Sequence, residues 1–199
     1  MTAPCKVCEK NRAKRHCPAL EGGICSTCCG TQREVTIDCP LDCVYLRESR
    51  QHERPVELAE ADVPNRDVRI TEDFLRQQEP LILWLANVLT RAIETGKAVD
   101  ADAREALEAM IRTYRTLDSG LIYETRTPNP YAAGLQEALK TAVEELRKTQ
   151  SPRDKDLLGS LVFLQRLELQ HANGRRRGRA FYDFLRVHFP AEAPPSLVS

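Results

Sequence analysis

The sequence is most informative in what it withholds. No cysteine follows Cys43, although eight occur up to and including it, at positions 5, 8, 17, 25, 28, 29, 39 and 43. A secreted disulfide protein spreads its bridges along the chain, so clustering of this kind points to ligation in a reducing compartment. Charge of one sign is also missing. Lys+Arg and Asp+Glu both number 29, which removes any global pull toward nucleic acid or an anionic membrane. No apolar run approaches bilayer length: the longest, Leu81 to Val88, is interrupted by Asn87. The N-terminus carries positive charge without the apolar stretch of a signal peptide. The reading is a soluble, intracellular, cytoplasmic protein with no membrane partner. Also absent are a nucleophile motif, a glycine-rich phosphate loop and a paired-carboxylate signature, so no enzyme is expected and no catalytic residue is nominated.

What is present divides the chain. Residues 1–50 are cysteine-rich and poor in large aliphatic side chains, too few to stabilise so small a unit without a staple. Residues 51–70 are charged, carry Pro55 and Pro64, and read as a linker or irregular arm. Residues 71–190 carry helical periodicity, and 191–199 read as a flexible tail. The fold class is therefore mainly α, a small two-zinc finger followed by an all-helical domain of about five helices.

Within the helical part, Thr71 opens the first helix, and Pro80 kinks it or begins another. Leu81, Leu83, Trp84, Leu85, Val88, Leu89 and Ile93 keep helical spacing up to Gly96, with Trp84 expected to be buried. Asp100 is placed to cap a second helix ending near Gly120. Leu121 to Asn129 reads as an extended loop, in which Tyr123, Glu124, Arg126 and Asn129 either line a groove or tie down a connection. Asn129 and Pro130 form an N-cap with proline at the first helical position of a third helix reaching Thr149. Ser151 to Asp154 repeats that arrangement before an apolar fourth helix closed by Asn173 and Gly174. A last helix covers 178 to 189, with Phe181, Tyr182 and Phe184 in the core.

The cysteine spacing carries the chemistry. Two C-x2-C knuckles, with other cysteines between and after them, are the grammar of zinc sites: each knuckle supplies two soft ligands from one tight loop. The simplest partition is cross-braced. Cys5, Cys8, Cys25 and Cys28 form one site. Cys17, Cys29, Cys39 and Cys43 form the other, with His16 the rival to Cys29. Pro40 sets Cys39 and Cys43 one turn apart on a single helix face, capped by Asp38 or Cys39, with Val44, Tyr45 and Leu46 packing beneath the zinc ions. An iron–sulfur cluster or a redox centre is the alternative use of the same cysteines, although the C-x2-C-x2-C run of ferredoxins is missing.

The segments Cys5-Lys6-Val7-Cys8, Ala13-Lys14-Arg15-His16-Cys17-Pro18 and Ile24-Cys25-Ser26-Thr27-Cys28 resemble HIT-type zinc fingers and, more loosely, MYND fingers. The resemblance covers about 45 residues. It implies two zinc ions, the same Cys5, Cys8, Cys25, Cys28 site, and contact with a protein partner. The chain departs from the family at Ala19-Leu20, where the family has a further cysteine. It departs again at its end, where Cys39 and Cys43 stand for a histidine and a cysteine.

Nucleic acid is the second partner considered. Residues 1–50 hold eight Lys/Arg and six Asp/Glu. Two four-thiolate zinc sites, each at −2, would turn that excess of two into a net −2, against the phosphate-neutralising footprint. The basic residues Arg12, Lys14 and Arg15 and the run Arg175, Arg176, Arg177 and Arg179 are what an anion or nucleic acid would meet. Otherwise the 175–179 run is a solvated loop that offers positive charge to the preceding helix end. The expectation is a regulatory adaptor or scaffold protein whose finger docks on a protein partner.

Overall fold

A computed structural model describes residues 3–118 and 124–189. Residues 119–123, which include Tyr123 and the start of the expected loop, and residues 190–199, which include the expected tail, lie outside the described residues.

The N-terminal part is a hairpin and two short helices. Strands β1 (Arg15–Cys17) and β2 (Gly22–Ile24) pair antiparallel, with His16 opposite Gly23. Helix α1 (Ser26–Gln32) follows directly, and α2 (Val44–Arg50) comes after a turn. Five longer helices then build the body: α3 (Glu72–Gly96), α4 (Asp100–Asp118), α5 (Pro130–Thr149), α6 (Asp154–His171) and α7 (Ala180–His188). The molecule is mainly α, as its periodicity requires.

The helix starts at Thr71 and Asn129 form by local chemistry. The Thr71 side chain accepts the Phe74 N–H at 3.1 Å, and Asn129 accepts that of Tyr131 at 3.1 Å, with Pro130 opening the helix. Three other expectations need correction. Pro80 opens no second helix: α3 runs through it as one element. Both Pro80 and Arg76, whose carbonyl loses its donor, are exposed, so water can take the orphan acceptor while Ile82, Leu85, Ala86, Leu89 and Ile93 bury on the other side. As expected, α3 does end at Gly96, and Lys97 after it takes the left-handed conformation at φ 52°. Ser151 caps nothing, since α6 begins at Asp154 with Arg153 before it and no side-chain cap.

Asp100 is the third correction. It is the first residue of α4, and its carboxylate caps α7 instead, accepting the N–H groups of Phe181 at 3.0 Å and Tyr182 at 3.1 Å. Asp102 takes the local role and accepts the Val99 N–H at 2.8 Å. Burial pushes the Asp100 carboxyl up to about 7, against the two N–H groups that favour its charged form.

The helices enclose one core. It joins Leu85 and Leu89 of α3, Leu107 and Met110 of α4, Leu135 and Leu139 of α5, Leu161 and Leu164 of α6, and Phe181 and Leu185 of α7. Helix α4 packs on α5 and α6, α3 on α5 and α6, and α7 on α3 and α6. At Gly159 a Cβ would stand 2.4 Å from the Phe74 ring, so glycine is what lets α3 approach α6 there. Trp84 is half-buried rather than buried. Inside the body, Arg104 makes a two-pronged pair with the fully buried Glu168, at 2.8 and 2.9 Å.

The segment between α2 and α3 is tied down. Arg166 of α6 donates to the carbonyls of Pro64, Asn65 and Val68. Arg115 of α4 holds Asn65 and Asp67, and the Val56 N–H reaches the Gln170 carbonyl at 2.8 Å. No helix among the described residues is long and apolar enough to cross a membrane.

Candidate metal centre

The first knuckle is built by N–H groups converging on sulfur. Cys5 is fully buried, the Val7 N–H points at its Sγ at 3.5 Å, and the chain turns back through Glu9, whose N–H bonds the Cys5 carbonyl while its φ is 56°. The second knuckle is a helix start. Cys25 is the N-cap of α1, and its Sγ accepts the Cys28 N–H at 3.4 Å. The hairpin between them provides the geometry: the Lys6 N–H bonds the Gly23 carbonyl at 2.9 Å and the Lys14 N–H that of Ile24 at 3.1 Å. The Lys6 ammonium closes the hairpin turn on the carbonyls of Leu20 and Glu21, each at 3.0 Å.

The result is a tetrad. The sulfurs of Cys5, Cys8, Cys25 and Cys28 all lie within 4.8 Å of one another. A zinc ion with Zn–S bonds of about 2.3 Å has S–S edges of roughly 3.8 Å, so these four could hold one metal ion after small adjustment. All eight cysteines are free thiols. The electrostatics agree with a cation site. Burial raises the Cys5 thiol, but the N–H groups of Cys25, Cys8 and Val7 outweigh it and bring it down to about 6. The Cys28 N–H lowers Cys25. Cys28 is pushed up to about 12, first by the Cys25 sulfur and then by burial. Proton loss is therefore easiest at Cys5 and Cys25 and hardest at Cys28.

Among the described residues this is the one group of three or more His, Cys, Asp or Glu ligand atoms gathered so closely. Cys17, Cys29, Cys39 and Cys43 are not drawn to that distance, yet they share a neighbourhood. Burial pushes the Cys39 thiol up, and the nearby Cys43 and Cys17 push the same way, against the Glu34 N–H. Cys29 lies between two guanidiniums, with Arg15 at 3.5 Å and Arg33 at 3.8 Å from its sulfur. Arg15 also covers the Tyr45 ring at 4.5 Å. His16 is exposed, on the strand face opposite the buried Cys17, because side chains alternate along β1.

The expected helix carrying Cys39 and Cys43 is not formed. Residues 40–43 are a turn, closed by the Cys43 N–H on the Pro40 carbonyl at 3.0 Å, and Cys43 is instead the residue before α2. Leu46 is buried, but Val44 is 60% exposed.

The arginine run lies against the finger. Arg175 donates to the Arg33 carbonyl at 2.7 Å, the Arg177 N–H to the Glu34 carbonyl at 2.7 Å, and the Arg179 N–H to the Glu34 carboxylate at 3.0 Å. Asp38 pairs with the guanidiniums of Arg179 and Arg177. Arg176 is exposed and makes no such contact. Arg12 and Lys14 are exposed as well. Glu124 pairs with Lys140 at 3.2 Å, and Asn129 binds Asp102 at 2.8 Å, so this part of the inter-helix segment is a tied connection. Sequence reasoning missed Glu34, and no local signal could have found it, since its partners lie 16 to 145 positions away.

Compared with protein-family models, with curated proteins and with solved structures, the chain matches none.

Proposed function

We propose that the chain is a zinc-finger adaptor whose cysteine module is folded by metal and presents a surface to a protein partner. The Cys5, Cys8, Cys25, Cys28 tetrad carries this reading. Four thiolates fill a tetrahedron and leave no position for substrate, which suits a structural rather than a catalytic ion. The compact spacing suits one ion better than a cluster, in which sulfide and several irons separate the cysteines. The second ion belongs to Cys17, Cys29, Cys39 and Cys43, which the turn at Pro40 and the hairpin bring into one neighbourhood. Arg15 and Arg33 at Cys29 would then offset thiolate charge in that site.

A protein partner is favoured by what the finger exposes. Val7, Val35 and Val44 are its exposed large apolar residues, while Arg15, Arg33 and Arg50 are engaged within the protein. The helical body serves as the rigid base.

Cobalt titration of the metal-free protein tests the metal part. Two equivalents taken up with tetrahedral sulfur-ligand absorption support two sites, one equivalent restricts the reading to the tetrad, and none removes it. For the partner, wild type and Val44→Glu serve as baits in extracts of the source cells. Capture of a protein by the first and not the second, unaffected by moderate salt, is the expected result. Salt-sensitive recovery of nucleic acid by both would replace the adaptor with a nucleic-acid factor.

A further inference from the structure

The turn joining α1 to Cys39 is also the seat of the corner between α6 and α7. Its isolated bridge pairs Arg33 with Ile37, and the N–H groups of Val35, Thr36 and Ile37 all reach the Gln32 carbonyl. Glu34, at its centre, is 1% exposed and holds φ at 53°, a left-handed conformation that a non-glycine residue keeps only where its surroundings over-determine it.

Those surroundings come from both parts of the molecule. The Glu34 carboxylate accepts from Arg50 of α2 at 2.6 Å, from Asn173 at 2.9 Å and from the Arg179 N–H at 3.0 Å. Its carbonyl accepts the Arg177 N–H. The corner is closed on itself by the Gly178 N–H on the Arg175 carbonyl at 2.8 Å, with Gly174 at φ 66° allowing the bend. The Gly178 carbonyl accepts the Asp100 N–H at 2.9 Å, and the Asp100 carboxylate caps α7. One hydrogen-bonded path therefore runs from the cysteine module through Glu34 and the corner to the first turn of α7.

We infer that the Arg33–Asp38 turn is a clamp through which the finger's metal load controls access to the arginine run: seated when metal is bound, released when it is lost. The inference rests on the metal reading above. Both flanks of Glu34 are held by cysteine-bearing segments, α1 with Cys25, Cys28 and Cys29 on one side, and Cys39 and Cys43 leading into α2 on the other. Besides sulfur, the buried cluster of this module contains only Ile24 and Ile37. Without ligation too little apolar burial remains to keep the turn formed. A buried carboxylate stripped of its ordered donors moves to water. Arg175, Arg177 and Arg179 then lose the acceptors that turn them inward and join Arg176 as a free cationic patch, suited to an anionic surface or polymer.

Hydrogen exchange at the amides of Arg177 and Arg179 tests this, with metal content measured on the same samples. Stripping the full chain with a chelator under reducing conditions is expected to speed both amides roughly tenfold or more, while amides of α4 and α6 keep their protection. Trypsin should cut within 175–177 of the stripped protein and spare the loaded one. Glu34→Gln is expected to retain its metal yet speed the Arg179 amide. Corner amides that stay protected after verified metal loss would overturn the clamp and leave the metal reading standing. Equal loss of protection in α4 and α6 would also overturn it, since release would then be global. A protein that neither carries nor takes up metal would overturn both.

Discussion

The finger and the helical body reach order by different means. The body buries twenty-four residues in one cluster, nearly all aliphatic or aromatic. The finger buries five in its own cluster, and three of those are cysteines. Burial at about 25 cal/mol per Å² stabilises the first far more than the second, and ligation at the cysteine tetrad is what we propose makes up the difference. The two meet largely through polar and charged groups, with Glu34 and Asp38 facing Asn173, Arg177 and Arg179, beside an apolar contact in which Leu41 packs against the core of the body. One chain thus shows that a helix pattern and a cysteine pattern predict structure for unrelated physical reasons.

The largest expected effect lies in the finger. Cys25→Ser removes one sulfur of the tetrad and the cap of α1, and the binding energy at stake for a structural zinc is roughly 10–16 kcal/mol. Proteolysis and hydrogen exchange should show residues 3–50 unfolded and α3–α6 intact; an unchanged digestion pattern would break the contrast between the regions. The reciprocal test is Leu161→Ala, at a fully buried position in α6. It should lower body stability by about 2–5 kcal/mol in urea, followed by the fluorescence of the single Trp84, without changing metal content.

Smaller effects probe the buried charges. Arg104→Ala leaves Glu168 buried without its two-pronged partner, for a loss of about 2–3 kcal/mol in the same urea assay. Asp100 sets a pH dependence. Its folded value of about 7 lies above the ordinary 3.8, so between those values the folded chain holds a proton that the unfolded chain has released. This contribution to stability is present at low pH and is lost as pH rises through 7. Burial raises Glu168 in the same direction, against Arg104. The Trp84-monitored urea midpoint should therefore carry a component that falls between about pH 4 and pH 7, and Asp100→Asn should remove most of it.

How far the sequence revealed this follows from the range of each interaction. Caps at Thr71 and Asn129 are legible because donor and acceptor lie two or three residues apart. The tetrad is legible for the same reason, since C-x2-C brings two sulfurs to one loop before any fold exists. Pro80 misleads because a local penalty of about 3 kcal/mol is outweighed by burial of the opposite helix face. Cys39 and Cys43 leave the expected helix because Pro40 starts a closed turn. Asp100 and Glu34 were out of reach: one caps a helix 81 positions away and the other binds a corner 139 positions away.

The four sulfurs of Cys5, Cys8, Cys25 and Cys28 are proposed to hold a metal that folds the finger. Elemental analysis of protein purified without oxygen, beside its Cys25→Ser variant, addresses it most directly. At least one zinc per chain is expected in the wild type and one fewer in the variant. Wild-type protein with four free thiols and no metal, or with iron and visible colour, would contradict it.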